Sequence, residues 1–465
     1  MRNISLKKNI KVIDFVIFMI PLLSFSFILY IFFPGIFNFD VFEQLRQINS
    51  NDFSNAHPFI STFYIMIFHK FIGIRCSLPI FQILWFSILW TKICKYNRKV
   101  KAKKYVYILQ ILVTIFVSFN PMISTTVISN NKDSLFFLIF LTICYKLQII
   151  LDKRFNTSYL NYVSFSFLLI FFMNVRYNGY YTCLVFIPII IVLIFFNTFR
   201  KNKKILMTLL ISLLFFEILF KIPIKVYNVK ENKATSGSVA QLKALQFDGY
   251  LLQEDLLDKK EKDKLSKFVS LDSLLKNNNY TFTDNLVLTE KTDYYEKHKD
   301  EFVNFSVFLL KNHLIDGFRF YHISSTLVWD IVANRNSVYN CLWYYMDVPN
   351  RPKNYYYVNE EKNSFSLVYD SFSKSQINRF ARVFLYSPSV CMYLSFIILL
   401  FLMIKYKYKD IWLLFVFNFI NVLIISFSIP VQDTRYLLNN FGCFYMLIII
   451  FINQTAICYN NKKTK

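Results

Sequence analysis

Glycine and charged residues are both scarce in this chain. Only 7 glycines occur in 465 residues, and neither a GxxxxGK[ST] nor a GxGxxG motif is present. The Gly-rich loops that cradle nucleotide phosphates are therefore excluded. The 8 cysteines show no CxxC pair and no Cys/His zinc spacing, which argues against a disulfide framework and a structural zinc site. Charged residues make up 18% of the chain, which is low for a soluble protein.

Apolar and aromatic residues are abundant instead. They account for 55% and 19% of the chain, with 54 Phe and 31 Tyr. The cores of soluble domains would not hide so much aromatic surface. Apolar runs of about twenty residues recur, which is the length that crosses a bilayer as a helix. We therefore predict an all-α polytopic membrane protein.

Ten apolar runs are expected to cross the membrane. No small-residue cleavage site follows the first run, so it is expected to be an uncleaved span rather than a signal peptide. The expected spans lie near residues 13–33, 77–94, 105–123, 134–151, 159–175, 180–199, 205–222, 386–404, 411–429 and 437–457. They divide the chain into an N-terminal transmembrane module (1–222), an extracytoplasmic segment (223–385) and C-terminal transmembrane helices (386–465).

Two of the expected outer segments are longer than simple connectors. The first outer loop, residues 34–76, contains an amphipathic piece over 59–71 that suits the membrane interface. The extracytoplasmic segment is polar and long enough for a small domain. Within it, 259–267 predicts a solvated helix, and 302–332 shows roughly helical spacing. Two tryptophans suit anchors at the membrane interface, Trp329 and Trp343.

The basic residues indicate how the chain is oriented. The net charge is +24, from 53 Lys and Arg against 29 Asp and Glu. These basic residues lie between apolar segments rather than in one compact basic domain, so no nucleic-acid partner is expected. They concentrate in alternate connectors such as 92–104, 200–204 and 405–409. Because positive residues stay on the cytoplasmic side, we predict a multi-pass protein of the cell membrane with both termini in the cytoplasm.

Polar residues that packing against lipid does not explain collect in four connectors on the predicted outer side. Each connector carries a carboxylate, an Arg or a Lys at the membrane border. The candidates are Asp40, Glu43 and His57, then Lys132 and Asp133, then Arg176 and Asn178, and finally Asp433, Arg435 and Tyr436. Taken singly, such residues also suit helix caps, acids that complement a helix dipole, or arginines that reach lipid headgroups. Their shared location is more informative than any one of them.

Transfer of a group from a lipid-phosphate donor needs this kind of set. A carboxylate takes the proton of an acceptor hydroxyl. Arginine and lysine hold the donor phosphate and neutralise the charge that develops as it leaves. No nucleotide motif is required.

The same residues form a recognisable pattern in chain order. It runs Pro34-Gly35, Asp40, Gln44, His57-Pro58 and Thr62, then Lys132-Asp133, Arg176-x-Asn178-Gly179 and Asp433-x-Arg435-Tyr436. This pattern resembles bacterial GT-C-type membrane glycosyltransferases. It looks most like an uncharacterised Gram-positive branch that is distantly similar to the aminoarabinose transferase and protein O-mannosyltransferase group. The resemblance covers about 12–200 and, more weakly, 380–457, and Gln241 falls in a degenerate version of that branch's P-x-Q-Q segment.

The resemblance implies a GT-C-like fold and sugar transfer from a polyprenyl-phosphate-linked donor to a cell-envelope glycopolymer or lipid at the outer face. It implies that a first-loop acid is the base. Asp40 is the matching position, with Glu43 as the alternative, and a bridging divalent metal stays open. The implied donor-phosphate ligands are Lys132, Arg176 and Arg435, with His57 binding donor or acceptor. The remaining expected substrate-binding residues are Asp133, Asn178, Gln241, Asp433 and Tyr436.

Two other functions fit parts of the pattern. A flippase or other transporter of lipid-linked saccharides would carry charged residues through both leaflets, whereas the expected spans are nearly free of charge apart from Lys146, Glu217 and residues at the span ends. A polysaccharide polymerase or ligase shares the outer arginines and a large outer loop, but consumes a diphosphate-linked chain. The sequence does not separate this last class from a glycosyltransferase.

Overall fold

The computed structural model describes residues 2–55, 57–73, 76–98, 104–198, 203–230, 233–280, 283–331, 385, 387–428 and 433–463. Within these ranges the regular elements are helices, and β-pairing is limited to isolated bridges. The described residues pack as two units. The first takes its residues from Met1–Lys230, Asn340–Asn421 and Thr434–Lys465, and the second from Glu231–Tyr339 and Val422–Asp433.

The α-helices are, in chain order, α1 (Arg2–Ile31), α2 (Phe39–Ser50), α3 (Phe59–Met66), α4 (Ser77–Asn97), α5 (Lys104–Phe119), α6 (Pro121–Val127), α7 (Lys132–Asp152), α8 (Tyr159–Val175), α9 (Tyr177–Thr198), α10 (Lys203–Val226), α11 (Lys233–Gln253), α12 (Lys259–Ser266), α13 (Leu271–Asn277), α14 (Asp293–Lys297), α15 (Lys299–Asn312), α16 (Leu314–Ser324), α17 (Thr326–Trp329), α18 (Pro388–Ile404), α19 (Trp412–Ser428) and α20 (Leu438–Lys463). A π-helical turn, Ile67–Ile72, continues α3. Short 3₁₀ turns cover Asp284–Leu288, Lys409–Ile411 and Thr434–Leu437.

Six of the described helices are long and apolar enough to cross a membrane. These segments are Lys11–Ile31, Ser77–Asn97, Lys132–Asp152, Tyr177–Phe196, Lys204–Val226 and Thr434–Ile457. The pair α5 and α6, bent by 67°, raises the number to seven if it forms one span. The helices α8, α18 and α19 are apolar but shorter, with 17 residues each. The described helices thus fit a membrane-embedded, all-α protein. Nine of the ten expected spans each fall on one of these helices, the tenth, 105–123, falls on the bent pair α5 and α6, and the count of ten stays a prediction.

The helices of the first unit differ in how much of their surface meets protein. Most of α7 is buried, and it packs against α4, α8 and α20, whereas large apolar side chains of α10 are exposed. The contact between α7 and α20 is close because Gly442 lies there. A Cβ at Gly442 would come within 2.9 Å of Leu141 Cδ2 and 3.0 Å of Phe137 Cε2. The core of this unit is therefore built around α7 and α20.

The second unit has an apolar core of its own. Leu251, Phe268, Phe302 and Leu309 are among its buried residues. The predicted helix at 259–267 is confirmed as α12, which begins with a capping box in which Asp258 and Glu261 bond each other's backbone N–H. The helical spacing predicted over 302–332 is confirmed as far as α17. Trp329 lies in α17, and Trp343 lies outside the described residues.

The segment after α1 is attached to the segment before α7. Ile36 N–H donates to the Ile128 carbonyl (3.3 Å), and Asn130 N–H donates to the Ile36 carbonyl (2.9 Å). Gly35 makes this approach possible: its φ is +126°, and a Cβ would lie 2.8 Å from the Ile128 carbonyl oxygen. This pairing brings the start of α2 next to the start of α7.

The predicted interfacial piece over 59–71 is largely covered by protein. It forms α3 and the π-helical turn, and seven of the eight residues of α3 are buried. This helix packs against α2, α7, α8 and α10. Protein packing therefore accounts for most of the apolar side chains of α3, and it holds the first outer loop in place.

Candidate functional site

Asp40 lies in the first turn of α2, which Asn38 caps by accepting from Val41 N–H at 2.9 Å. Two cationic side chains from distant parts of the chain face its carboxylate. Lys132 Nζ lies 2.9 Å from Asp40 Oδ2, and Arg435 Nη1 lies 3.8 Å from the same oxygen. The Asp40 side chain is 22% exposed and that of Lys132 only 10%. The carboxylate is therefore partly shielded from water and still reachable.

His57 is held against the same pair. Lys132 Nζ donates to His57 Nδ1 at 2.8 Å, and His57 Nε2 lies 3.9 Å from Asp40 Oδ1. An ammonium group has no acceptor, so Nδ1 carries the lone pair and the ring proton sits on Nε2, toward Asp40. Burial, helped by the charge of Lys132, lowers the pKa of His57 to about 4. The imidazole is therefore neutral at physiological pH.

A second ion pair lies beside the first. Arg176 Nη1 pairs with Asp133 Oδ1, and both side chains are almost fully buried. Asn131 caps α7 and donates to Asp133 Oδ2 at 3.0 Å. The Tyr436 ring joins the two ion pairs, since the Arg176 and Arg435 guanidinium carbons lie 4.7 and 5.0 Å from its centroid. We call Asp40, His57, Lys132, Asp133, Arg176, Arg435 and Tyr436 the charged cluster.

The electrostatic balance of the cluster keeps Asp40 ionised. Burial alone would raise the pKa of the Asp40 carboxyl, but the charges of Lys132 and Arg435 and the hydrogen bond from Lys132 outweigh it. The pKa of Asp40 therefore lies well below its usual range. While both cations face it, Asp40 is a weak base.

The cluster stands where helices begin. Asp40 is in the first turn of α2, Lys132 is the first residue of α7, and Arg176 directly precedes α9. Tyr436 lies in the 3₁₀ turn Thr434–Leu437, which leads into α20. Helix N-termini carry partial positive charge and free N–H groups. These termini add to the three cationic side chains in favouring a bound anion.

Glu43, the alternative base, has other partners. Arg46 Nε and Nη2 donate to the two oxygens of Glu43 at 2.8 and 2.7 Å, and Gln47 donates at 3.2 Å. The hydrogen bonds from Arg46 lower the pKa of Glu43. Gln44, another residue of the sequence pattern, donates to Ser61 and Thr62 and so ties α2 to α3. The geometry favours Asp40 over Glu43 as the acid that faces the cations.

Asn178 is partly buried and contacts a group of buried polar side chains. Asn178 Nδ2 and Thr182 Oγ1 donate to Asn421 Oδ1 at 3.0 and 3.3 Å. On the adjacent turn of α19, Asn418 Nδ2 donates to Asn440 Oδ1 at 2.7 Å. We call these residues and Asn439 the amide layer. Asn178 follows Arg176 by two residues and Asn439 follows Tyr436 by three, so the layer adjoins the cluster along α9 and α20.

Part of the amide layer has unused hydrogen-bonding capacity. Both Asn439 Nδ2 and Oδ1, together with Asn421 Nδ2 and Asn418 Oδ1, are buried and have no hydrogen-bond partner among the described residues. Sequence reasoning missed Asn418, Asn421, Asn439 and Asn440 because it concentrated on charged residues. The available signal was an amide within an apolar helix, where polar groups are costly and generally functional.

Two predicted site residues belong to the second unit. Gln241 Oε1 accepts a hydrogen bond from Tyr295 OH at 3.3 Å, and Asp433 is buried. Their roles in substrate binding stay predictions. The side chains of Ser238, Val239 and Ala240, which share the segment of Gln241, lie outside the described residues.

No obvious metal centre forms in the described part of the chain. No three His, Cys, Asp or Glu side chains come together there in a way that suits a metal ion. Lys132 and Arg435 face the Asp40 carboxylate, and Arg46 holds Glu43. The surroundings of both carboxylates, where a bridging metal ion would have to bind, are therefore occupied by cationic side chains.

Comparison with protein-family models, with curated proteins and with solved structures finds no match to this chain. The charged cluster and the amide layer are therefore the features from which a function is inferred.

Proposed function

We propose that the chain is a GT-C-like membrane glycosyltransferase with about ten spans and a small extracytoplasmic domain. It moves a sugar from a polyprenyl-phosphate-linked donor to a cell-envelope glycopolymer or lipid on the outer face of the membrane. One observation carries the proposal. Side chains from residues 40, 57, 132 and 435 meet as a partly exposed carboxylate, a neutral imidazole and two cations.

The proposed reaction uses the cluster as follows. The oxygen of an acceptor hydroxyl attacks the anomeric carbon of the donor sugar, and the bond from that carbon to the phosphate oxygen breaks. The electron pair leaves with the polyprenyl phosphate, and Asp40 takes the hydroxyl proton. The phosphate gains one negative charge as it leaves. Lys132 and Arg435 therefore stabilise the departing group more than the bound donor, which is the condition for catalysis.

Donor binding would also raise the pKa of Asp40. With its carboxylate facing Lys132 and Arg435, Asp40 binds protons too weakly to be an efficient base. A donor phosphate competes for the same two cations. As they turn toward the phosphate, the pKa of Asp40 rises and the carboxylate becomes more basic. The base would therefore become active when the donor is in place.

The amide layer suits the sugar of the donor. Amides donate and accept hydrogen bonds without charge, as sugar hydroxyls require. The unpartnered atoms belong to Asn439, which follows Arg435 by four residues, and to Asn421, which accepts a hydrogen bond from Asn178, two residues after Arg176. This arrangement supports a phosphate at the cluster and a sugar against the amide layer.

Charges within the spans support transfer over transport. Lys146 Nζ donates to Asn161 Oδ1 at 3.3 Å, and Glu217 pairs with Lys221 on the same helix at 3.1 Å. Each of these two charged groups thus has a polar or charged partner close to it. They do not form the succession of polar groups that a transporter uses to pass a charged headgroup across.

The proposal is tested by replacing Asp40→Asn in the organism that carries the chain and analysing its envelope glycans by mass spectrometry. We expect one sugar modification to disappear while the protein still inserts into the membrane. Asp52→Asn is the matched control. Asp52 lies on the same outer loop, where it forms an exposed ion pair with Lys230, and its replacement should leave the glycan pattern intact. An unchanged glycan pattern in the Asp40 variant would remove Asp40 from the catalytic role.

A further inference from the structure

The second unit exposes large apolar side chains on two successive helices. Ile315 and Phe318 on α16 are 71% and 72% exposed. We call the full set the apolar patch: Val307, Phe308, Leu310, Leu314, Ile315 and Phe318. Contiguous exposed apolar surface of this kind marks a contact with another apolar phase.

The patch is separate from the core of the unit. On the same two helices, Phe302, Phe305, Leu309 and Phe320 are buried in that core. The helices α15 and α16 therefore present apolar side chains on two faces, one buried and one exposed. A helix that only covers a soluble domain has a single apolar face and a polar opposite face.

The two helices form one continuous surface. Gly317 on α16 lies against Leu310 on α15, and a Cβ at Gly317 would come within 2.6 Å of Leu310 Cδ1. The short connection at His313 turns the chain between them. The exposed side chains of both helices thus belong to one patch rather than to two unrelated spots.

Basic residues border the patch. Lys311 and Arg319 are exposed and lie next to its apolar members along the chain, and Arg319 also pairs with Asp316 at 3.1 Å on the same helix. Long basic side chains lay their methylene groups on apolar surface and keep their charge at lipid phosphates. This combination of apolar centre and basic border is typical of helices that lie in a membrane interface.

The helix α16 contacts the end of an apolar helix. The Tyr321 ring stacks on Phe427 with centroids 4.7 Å apart, and its hydroxyl bonds Ser426 Oγ at 2.5 Å. Ser426 and Phe427 are near the end of the apolar helix α19, which covers the expected span 411–429, and the end of such a span is expected to lie near the lipid headgroups. The helix that carries Ile315 and Phe318 therefore lies beside that end.

We propose that the apolar patch of α15 and α16 inserts into the lipid of the leaflet at which α19 ends, so that the second unit lies in the membrane interface. The occupant of the patch is bilayer lipid, held by apolar contact and by attraction of Lys311 and Arg319 to lipid phosphates. This placement does not depend on whether the chain transfers a sugar.

Photo-crosslinking of the full chain in lipid nanodiscs tests this placement. Benzoylphenylalanine replaces Phe318 in one preparation and Lys260, on the solvated helix α12, in another, and adducts are identified by mass spectrometry. We expect lipid adducts at position 318 to exceed those at 260 by about ten-fold. Phe318 is exposed, so its replacement leaves the core of the unit intact.

Two results would overturn the proposal. Equal lipid yields at the two positions would show that the patch faces water. Adducts at 318 formed mainly with a second copy of the chain would show that the patch is a dimer interface. In the double variant Ile315→Asp, Val307→Asp, crosslinking to lipid from 318 should fall about ten-fold. An unchanged yield would contradict insertion as well.

Discussion

Lys132 is the residue on which the geometry of the charged cluster depends most. It contacts both Asp40 and His57, and it is a buried cation at the first residue of a buried helix. Burying a cation costs free energy unless it is paired, so Lys132 needs these partners to occupy its position. Two acceptors compensate it in this structure, and a bound phosphate would offer a third.

Replacing Lys132→Gln should weaken binding of a polyprenyl monophosphate by roughly ten-fold or more, because a charge-assisted hydrogen bond to the phosphate is lost. Binding is measured by native mass spectrometry on the purified chain. Lys230→Gln is the matched control, since Lys230 is an exposed lysine of the same unit that pairs with Asp52. Equal losses in the two variants would show a general charge effect instead of a phosphate site.

The lowered pKa of His57 predicts that the stability of the protein depends on pH. Its pKa falls from 6.5 to about 4 on folding, so the unfolded chain takes up a proton first as the pH falls. The stabilising contribution of neutral His57 is therefore full above 6.5 and is lost as the pH drops toward 4. Thermal unfolding in detergent should show this loss, and His57→Gln should reduce the slope between these pH values. A variant with the same slope as the wild type would place the pH dependence elsewhere.

At the scale of single residues, sequence reasoning reached the charged members of the site and missed its neutral ones. Lys132 and Arg435 were predictable because basic residues are uncommon in short connectors on the predicted outer side. Asn421 and Asn439 are more buried than those two, but an asparagine in an apolar run also suits a helix–helix contact. The choice between Asp40 and Glu43 needed coordinates, since it depends on which acid Arg46 reaches.

Among the elements, α20 offers a comparison within one helix. Asn439 near its start is buried with both side-chain atoms unpartnered, whereas Asn453 is buried and donates to the Ile449 carbonyl of the same helix at 2.6 Å. The first side chain has hydrogen bonds to offer a ligand, and the second has already used a donor on its own helix.

Asn439→Leu should therefore lower the preference for sugar-linked over sugar-free polyprenyl phosphate by about ten-fold, through loss of hydrogen bonds to sugar hydroxyls. The thermal stability and the affinity for the sugar-free lipid should both stay unchanged, because removing unpartnered buried polar groups costs little free energy. Asn453→Leu should leave the preference unaltered. The ratio of the two affinities is the quantity to measure, and an equal ratio in both variants would contradict a sugar site at Asn439.

The elements themselves were largely predictable, because long apolar runs have few alternatives to a helix in a membrane. The expected span at 105–123 shows what composition alone leaves out. The chain breaks there between α5 and α6 with a 67° bend. Asn120 caps α6 by accepting from the N–H groups of Met122 and Ile123, and Pro121 starts the new helix. The Asn-Pro pair was the local signal for that break.

For the whole molecule, sugar transfer at the outer face requires the charged cluster to face away from the cytoplasm. The alternation of basic connectors predicts that both termini are cytoplasmic and that the loop carrying Asp52 is outside. Cysteine introduced at exposed Asp52 should react with a membrane-impermeant maleimide in intact cells. Cysteine introduced at Lys95, near the predicted inner end of α4, should react only after the cells are opened. The reverse pattern would place the cluster on the wrong side for an extracytoplasmic reaction.

The division into two units was less accessible from the sequence. The polar segment 223–385 indicates a separate domain by composition, yet the second unit also takes in Val422–Asp433 from the far side of that segment. The contact of Tyr321 with Ser426 and Phe427 makes this connection, and no periodicity in the sequence predicts that contact. Contacts between residues about one hundred positions apart depend on the packed structure.

Our claim is that the chain transfers a sugar with Asp40 as the base. It is most directly tested by measuring transfer of a labelled sugar from polyprenyl-phosphate donors to envelope material from cells that lack the chain. The purified wild type is compared with Asp40→Asn in nanodiscs, across donors that carry different sugars. We expect the wild type to transfer the sugar of at least one donor. In the variant the rate falls by ~10²–10⁴, while the same donor binds at least as tightly, because Lys132 and Arg435 lose their competing carboxylate. Transfer at the wild-type rate by the Asp40 variant would contradict the claim.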